Sequence, residues 1–455
     1  MHRSFKFHFP KAHLARIFRF VYASDNPQRR LLFGYAAYAL LGTLLLMLPF
    51  CHTQSIPFVD QLFTAVSALS TTGLSIVDVS VGYTFWGQLV ILLLIQLGGL
   101  GYMTFVSYVM LRLTKHLGSG EAQMFRAQFS FPDKMQNDSM LGNIVNFALG
   151  FELLGMLLLY PYFLTNDVES PLWSAVFHSV SAFCTAGFSI YSDNLMQFRA
   201  DWYVNLVIAL LSYMGAMSFI MMTDVFRKLR RRSYRISFTT KVIAVITTAL
   251  TLWSTLHLFF LEPSLQLLPF GERLLTAWFH SMSAITTVGF NTADTTHFAS
   301  VTMVVLAFSM YIGASPSGTG GGLKSTTLSA IFAYTKNKLG LRRDITLAGN
   351  KVPLYRVDAA LTTFVFYSLI LITGVYLMVI FERGGATFMQ LVFEATSALA
   401  TAGLSSGILP AMNVGSKLVL IVLMFIGRLG VLTLGHVMLV RAHAQTARHS
   451  SDLVV

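Results

Sequence analysis

The sequence predicts an all-α polytopic membrane protein, built from four tandem repeats of span, half-helix and span around a pseudo-fourfold axis. Three observations predict it. Of 455 residues, 55% are hydrophobic and only 11% charged, against about 25% charged in a soluble domain. Apolar runs near the roughly 20 residues needed to cross a bilayer recur eight times, at 31–50, 84–111, 141–164, 202–226, 239–261, 300–335 (interrupted), 357–381 and 416–440. One short motif recurs in four of the connections between them. So little charge cannot cover a soluble surface, which excludes a cytosolic enzyme, a disordered chain and a nucleic-acid binder. Two cysteines, Cys51 and Cys184, are too few for a disulfide framework.

Charge orients the spans. Of 32 Lys and Arg, 27 fall in the N-terminal segment, in 112–140, 227–241 and 324–356, or in the tail. The other connections hold four, Arg199, Arg273, Arg383 and Lys417, together with eleven acidic residues. Basic connections stay in the cytoplasm, so both termini are expected there, in a bacterial plasma membrane. The net charge of +12 then needs no nucleic acid as partner. The first span is too long and too late for a cleaved signal peptide, and no small-residue cleavage site follows it.

The four copies align without gaps: FTAVSALSTTGLS (63–75), FHSVSAFCTAGFS (177–189), FHSMSAITTVGFN (279–291) and FEATSALATAGLS (393–405). Each has Phe first, Ser fifth, Ala sixth, Thr ninth, Gly eleventh and Leu or Phe twelfth. Gly73, Gly187, Gly289 and Gly403 are spaced by 114, 102 and 114 residues. The expected organisation is a basic N-terminal arm (1–30), repeat 1 (31–112), a linker (113–140), repeat 2 (141–226), a basic linker (227–238), repeat 3 (239–335), a basic linker (336–356), repeat 4 (357–440) and a tail (441–455).

About eight to ten residues from Phe to Thr make a helix of roughly 12–15 Å, half a membrane thickness. Asp60, Ser170 with Pro171, Glu272 and Thr387 stand upstream as caps, and Thr-x-Gly ends the helix. A half-helix followed by extended backbone is tolerated at membrane depth only beside water or inside protein. Four such helices aim their negative C-terminal ends at the membrane centre, where they favour a cation. Carbonyls of Thr71, Thr72 and Gly73, Thr185, Ala186 and Gly187, Thr287, Val288 and Gly289, and Thr401, Ala402 and Gly403 can then ring a pore and replace an ion's hydration shell. The third copy stands nearest the Thr-Val-Gly-Tyr core of potassium-channel filters. Glycines that merely allow close helix packing would not fall in register four times.

The motifs resemble the potassium-translocating membrane subunits of the Trk/Ktr/HKT superfamily over nearly the whole chain, and most of all the KtrB type of bacterial KtrAB systems. TrkH-type relatives carry two additional N-terminal spans. The resemblance implies K+ as the transported ion, since Gly73 stands where sodium-selective plant relatives have Ser. It also implies a homodimer with a pore in each subunit, Na+ dependence, and a cytosolic KtrA-like RCK ring that binds ATP or ADP.

The sixth span is broken by Gly313-Ala-Ser315-Pro316-Ser317-Gly318-Thr319-Gly320-Gly321-Gly322, where Gly and Pro cannot continue a helix. The equivalent second spans carry the single glycines Gly98, Gly215 and Gly427 and are expected to run on. The broken segment reads as a mobile plug below the filter, lined by Ser315, Ser317 and Thr319, and the resemblance supports this. A P-loop is excluded by Leu323, which separates Gly322 from Lys324. Arg428 lies about twelve residues from either end of its span, too deep to snorkel easily, so it should face a partner or a wet cavity near the plug.

His178 and His280, second in their repeats, read as polar packing ahead of metal ligation. The 21 Met read as packing, and Arg227 to Arg232 as an anchor for anionic lipids or a docking surface. No nucleophile–base constellation and no organic cofactor motif is visible, so no enzyme is expected. The rival transport reading, a secondary cation carrier with alternating access, predicts inverted repeats, whereas all four motifs here lie on the acid-rich side.

Overall fold

The computed structural model describes residues 27–101, 137–217, 219–231, 233–341, 344–431 and 433–435. Most of the N-terminal arm, most of the first linker, the tail, and the far ends of the spans expected to reach 111 and 440 lie outside them.

Each repeat begins with a long apolar helix: α1 (Pro27–Leu46), α4 (Asn137–Thr165), α8 (Phe238–Leu261) and α12 (Leu354–Phe381). Among the described residues, these four supply the single helices long and apolar enough to cross a membrane. Each is followed by a shorter helix over the start of the motif: α2 (Phe58–Leu69), α5 (Pro171–Phe183), α9 (Phe270–Thr286) and α13 (Phe388–Leu399). The second spans are α3 (Phe85–Leu100), α6 (Trp202–Ala216), α10 (Ser300–Ile312) and α14 (Val414–Leu429). Helix α7 (Phe219–Arg230) follows α6, and α11 (Ser325–Leu339) follows α10. A two-stranded antiparallel ribbon pairs Thr346 with Lys351 in the basic linker before α12.

The short helices run longer than expected, at 12, 13, 17 and 12 residues. They start earlier because Pro57 and Pro269 occupy the N-cap positions, where a preset φ and a missing N–H cost nothing. Asp60 and Glu272 therefore fall in the first turn instead of capping it. Ser170 stands at the N-cap with φ +48 and makes no side-chain cap bond. Thr387 alone of the four caps as expected, in a reciprocal capping box with Gln390.

Packing closes the repeats into a ring. The second span of each repeat packs on the short helix of the next: α3 on α5, α6 on α9, α10 on α13, and α14 back on α2. Hydrophobic clusters bridge successive repeats. One joins Phe63 and Leu69 of repeat 1 to Leu420 and Met424 of repeat 4, and another joins Ile208 of repeat 2 to Phe279 and Phe290 of repeat 3. Ion pairs clasp two of these junctions. Lys417 on α14 meets Asp60 on α2 at 2.9 Å, and Arg199, just before α6, meets Glu272 on α9. A third base of this face, Arg273, lies 4.1 Å over the Phe259 ring.

The second spans do not run on as expected. Helix α3 ends at Gly101 with φ +79, and α14 ends at Gly430 with φ +85, both conformations natural to glycine. Helix α6 stops at Ala216, and the segments Trp202–Ala216 and Met221–Arg230 meet at 107°. All four second spans thus break at the level of the glycine-rich segment.

Candidate functional site

The four Thr-x-Gly segments meet at the centre of the ring. A methyl group added at Gly73 would strike the Ala186 carbonyl oxygen, one at Gly187 that of Val288, one at Gly289 that of Ala402, and one at Gly403 that of Thr72. Each glycine abuts the middle carbonyl of the next repeat, and the fourth abuts the first. All twelve residues singled out in the motif are thereby brought to one place.

The backbone there turns the same way four times. Gly73, Gly187, Gly289 and Gly403 have φ of +92, +64, +85 and +84, open to glycine without penalty. Thr71, Thr185, Thr287 and Thr401 also adopt positive φ, at +52, +52, +55 and +47. For a β-branched residue this costs about 1–2 kcal/mol. The middle-residue N–H groups of Thr72, Ala186, Val288 and Ala402 donate to Ser67, Ser181, Ser283 and Ser397 carbonyls at 2.8, 2.8, 3.1 and 2.8 Å. This is a Schellman-type helix end, with Thr where Gly is usual. Four threonines thus hold the same strained left-handed conformation at equivalent points of the repeats. The sequence carried no sign of this, because Thr is an ordinary residue in extended backbone.

The fifth-position serines brace the segment from behind. Ser67, Ser181 and Ser283 hydroxyls donate to the Leu74, Phe188 and Phe290 carbonyls at 2.7, 2.8 and 2.7 Å. Ser397 Oγ has no partner among the described residues. The second-position side chains brace the exit. His178 sets Nδ1 2.8 Å from the Ser174 carbonyl and Nε2 2.9 Å from Ser189 Oγ. His280 Nδ1 lies 3.0 Å from the Thr276 carbonyl. Glu394 accepts from Ser406 N and from the hydroxyls of Ser405 and Ser406. The repeated Ser and the polar second position were visible in the alignment, and their recurrence was the available signal for these roles.

The glycine-rich segment 313–322 lies directly against the ring. Thr319 Oγ1 donates to the Phe183 carbonyl at 3.2 Å and accepts from Thr185 Oγ1 at 3.1 Å. Gly321 N donates to Thr287 Oγ1 at 2.8 Å. A side chain at Gly320 would strike the Thr286 carbonyl, and one at Gly321 the Ala400 carbonyl. On its flank, Ser315 Oγ donates to the Ala216 carbonyl at 2.8 Å and Thr319 N to Gly215 at 2.9 Å. These bonds take up carbonyls freed where α6 ends. Gly313 and Gly322, at φ +63 and +78, close the segment on itself, and Gly318 packs on the Ala216 carbonyl. Pro316 and Ser317 line a cavity of about 340 Å³ that Gly320, Gly321 and the ring residue Thr401 also line.

Arg428 lies on that cavity's wall. Its guanidinium donates to the Thr319 carbonyl and to the carbonyls of Gly98 and Gly99, the latter at 3.2 Å. It therefore ties the glycine-rich segment of repeat 3 to the end of α3 in repeat 1. Lys324, counted in the sequence with a cytoplasmic connection, lies instead beside the ring. Glu152, on α4, accepts from Gln96 Nε2 at 2.9 and 3.0 Å behind Cys184, next to Thr185. Neither residue was singled out in the sequence: Lys324 was grouped with the basic connection that follows it, and Glu152, inside the run 141–164, carried the same signal of an ion within a span that marked Arg428.

The family model described as a cation transport protein, TrkH, matches residues 35–447. The chain belongs to the TrkH family of cation transport proteins. It is 34% identical to the Ktr system potassium uptake protein B of Bacillus subtilis strain 168, over 90% of this chain and 92% of that one. It is 31% identical to the protein of the same name from Vibrio alginolyticus, over 95% of each. The crystal structure of the potassium transporter TrkH from Vibrio parahaemolyticus superposes with a TM-score of 0.72 at 21% identity, covering 91% of this chain and 84% of that one. That likeness extends the all-α polytopic fold to this chain. Members of this family carry ions and are not enzymes.

Proposed function

We propose that this chain is the membrane subunit of a Ktr-type system that takes up K+. The observation that carries the reading is the cyclic contact of Gly73 with Ala186, Gly187 with Val288, Gly289 with Ala402 and Gly403 with Thr72. It brings main-chain oxygens from four quarters of the chain around one axis. Carbonyls so placed replace a dehydrated cation's water, and the C-terminal ends of α2, α5, α9 and α13 add a favourable potential. In this reading the filter is Thr71 to Gly73, Thr185 to Gly187, Thr287 to Gly289 and Thr401 to Gly403, and K+ is cargo.

The segment 313–322 is the gate, because it fills the space beneath the ring and is fixed by bonds to Thr185, Thr287 and Phe183. Arg428 holds it shut through Thr319. The names of the relatives, together with the basic connections, support a cytosolic regulatory subunit, nucleotide-gated, that docks on that face. Na+ dependence, a homodimer, a bacterial plasma membrane, anionic lipid at Arg227 to Arg232, and cytoplasmic termini complete the proposal.

Purified protein in liposomes tests it, with K+, Rb+ and Na+ flux compared with and without the cytosolic subunit. Faster K+ and Rb+ than Na+ flux is expected, and equal flux of all three contradicts a carbonyl filter.

A further inference from the structure

Lys324 stands one residue beyond the glycine run, at the N-cap of α11. Its backbone sits at φ +84, a region that a lysine occupies only under constraint. Its ammonium explains the constraint. Nζ donates to the Gly320 carbonyl at 2.6 Å and to the Gly321 carbonyl at 3.2 Å. The Gly321 carbonyl also accepts from Ala314 N at 3.1 Å. Both glycines lie against the ring, Gly320 beside Thr286 and Thr287 and Gly321 beside Ala400 and Thr401.

Two further facts point to an ion at this level. Thr71 Oγ1 and Thr401 Oγ1 are buried and make no hydrogen bond among the described residues, and Thr401 Oγ1 lies against Gly321. Among the described residues, no carboxylate lines the 340 Å³ cavity that Lys324 shares with Arg428. The ammonium is therefore satisfied by carbonyl oxygens and helix ends, the same donors that would hold an alkali ion.

We infer that the carbonyls of Gly320 and Gly321, with the Thr401 hydroxyl, form an alkali-cation site below the filter, and that the Lys324 ammonium occupies it in the closed state as a tethered substitute for K+. The inference rests on the proposed filter and gate. Opening requires the ammonium to leave the two carbonyls, and the cavity on whose wall Lys324 lies provides the space. K+ descending from the filter and the ammonium then compete for one set of oxygens. Arg428 acts differently, since its acceptors are Thr319, Gly98 and Gly99 and not the carbonyls of Gly320 and Gly321.

The test compares wild type, Lys324→Met and Lys324→Arg as full-length protein in liposomes without the cytosolic subunit, and as crystals soaked in Rb+. Lys324→Met is expected to raise Rb+ flux about tenfold or more, the shift given by losing one to two charge-assisted hydrogen bonds. It is also expected to show Rb+ density between the Gly320 and Gly321 carbonyls that wild type lacks. Lys324→Arg, which keeps the charge, should stay near wild type in flux. Unchanged or lower flux in Lys324→Met, or no Rb+ at Gly320 and Gly321 while the filter is loaded, overturns the inference. Absence of Rb+ at Gly73, Gly187, Gly289 and Gly403 in every crystal would instead overturn the filter on which it rests.

Discussion

Gly403 of the last repeat packs on the carbonyl of Thr72 in the first. This contact closes the ring. The same relation recurs at the other three junctions, so the geometry of the centre depends on glycine at each point. A side chain there meets a carbonyl and a backbone at positive φ together.

Gly289→Asp should therefore abolish K+ uptake while the protein still inserts. The substitution sets a side chain against the Ala402 carbonyl at a φ of +85 and adds a charge to the ion path. Growth of a K+-uptake-deficient strain at low K+ checks this. Full rescue by the variant removes the filter assignment.

Arg428→Met should leak. The variant loses the donors to Thr319, Gly98 and Gly99, and with them the tie between plug and α3. Basal Rb+ flux without the cytosolic subunit is expected to rise about tenfold or more, the worth of a charged hydrogen bond or two. Flux equal to wild type would show that the guanidinium does not restrain the plug.

The clasp of Asp60 and Lys417 predicts coupling across the closure of the ring. Both side chains are shielded, at 10% and 14% relative exposure for Lys417 and Asp60. Lys417→Met alone should lower thermal stability by about 3 kcal/mol, because it leaves a shielded carboxylate unpaired. Asp60→Asn in the same chain should recover part of this. Additive losses in the double-mutant cycle would mean that the pair contributes nothing to closure.

The serine braces make a prediction with an internal control. Ser283→Ala removes the 2.7 Å bond to the Phe290 carbonyl and should cost about 1 kcal/mol. Ser397→Ala removes a hydroxyl with no partner among the described residues and should be near neutral. Equal losses in thermal unfolding would refute the assignment.

Much of this was legible in the sequence, and the limits have physical causes. Four aligned copies with Thr and Gly at fixed places identified the central segments, because a recurring exception to helix geometry carries information that a single one lacks. The glycine run and Arg428 were legible as breaks in apolar spans. The left-handed Thr71, Thr185, Thr287 and Thr401 were not, since nothing in a Thr codes for αL. The early ends of α3, α6 and α14 were hidden by apolar runs that continue past Gly101, Ala216 and Gly430. The position of Lys324 was misread, because a lysine beside a span normally marks its cytoplasmic end and here turns back into the protein.

The most direct test is anomalous diffraction from crystals of this chain grown in Tl+. A peak is expected on the axis enclosed by Gly73, Gly187, Gly289 and Gly403, held by their neighbouring carbonyls and displaced by K+. Thallium bound elsewhere, with that axis empty, would contradict it.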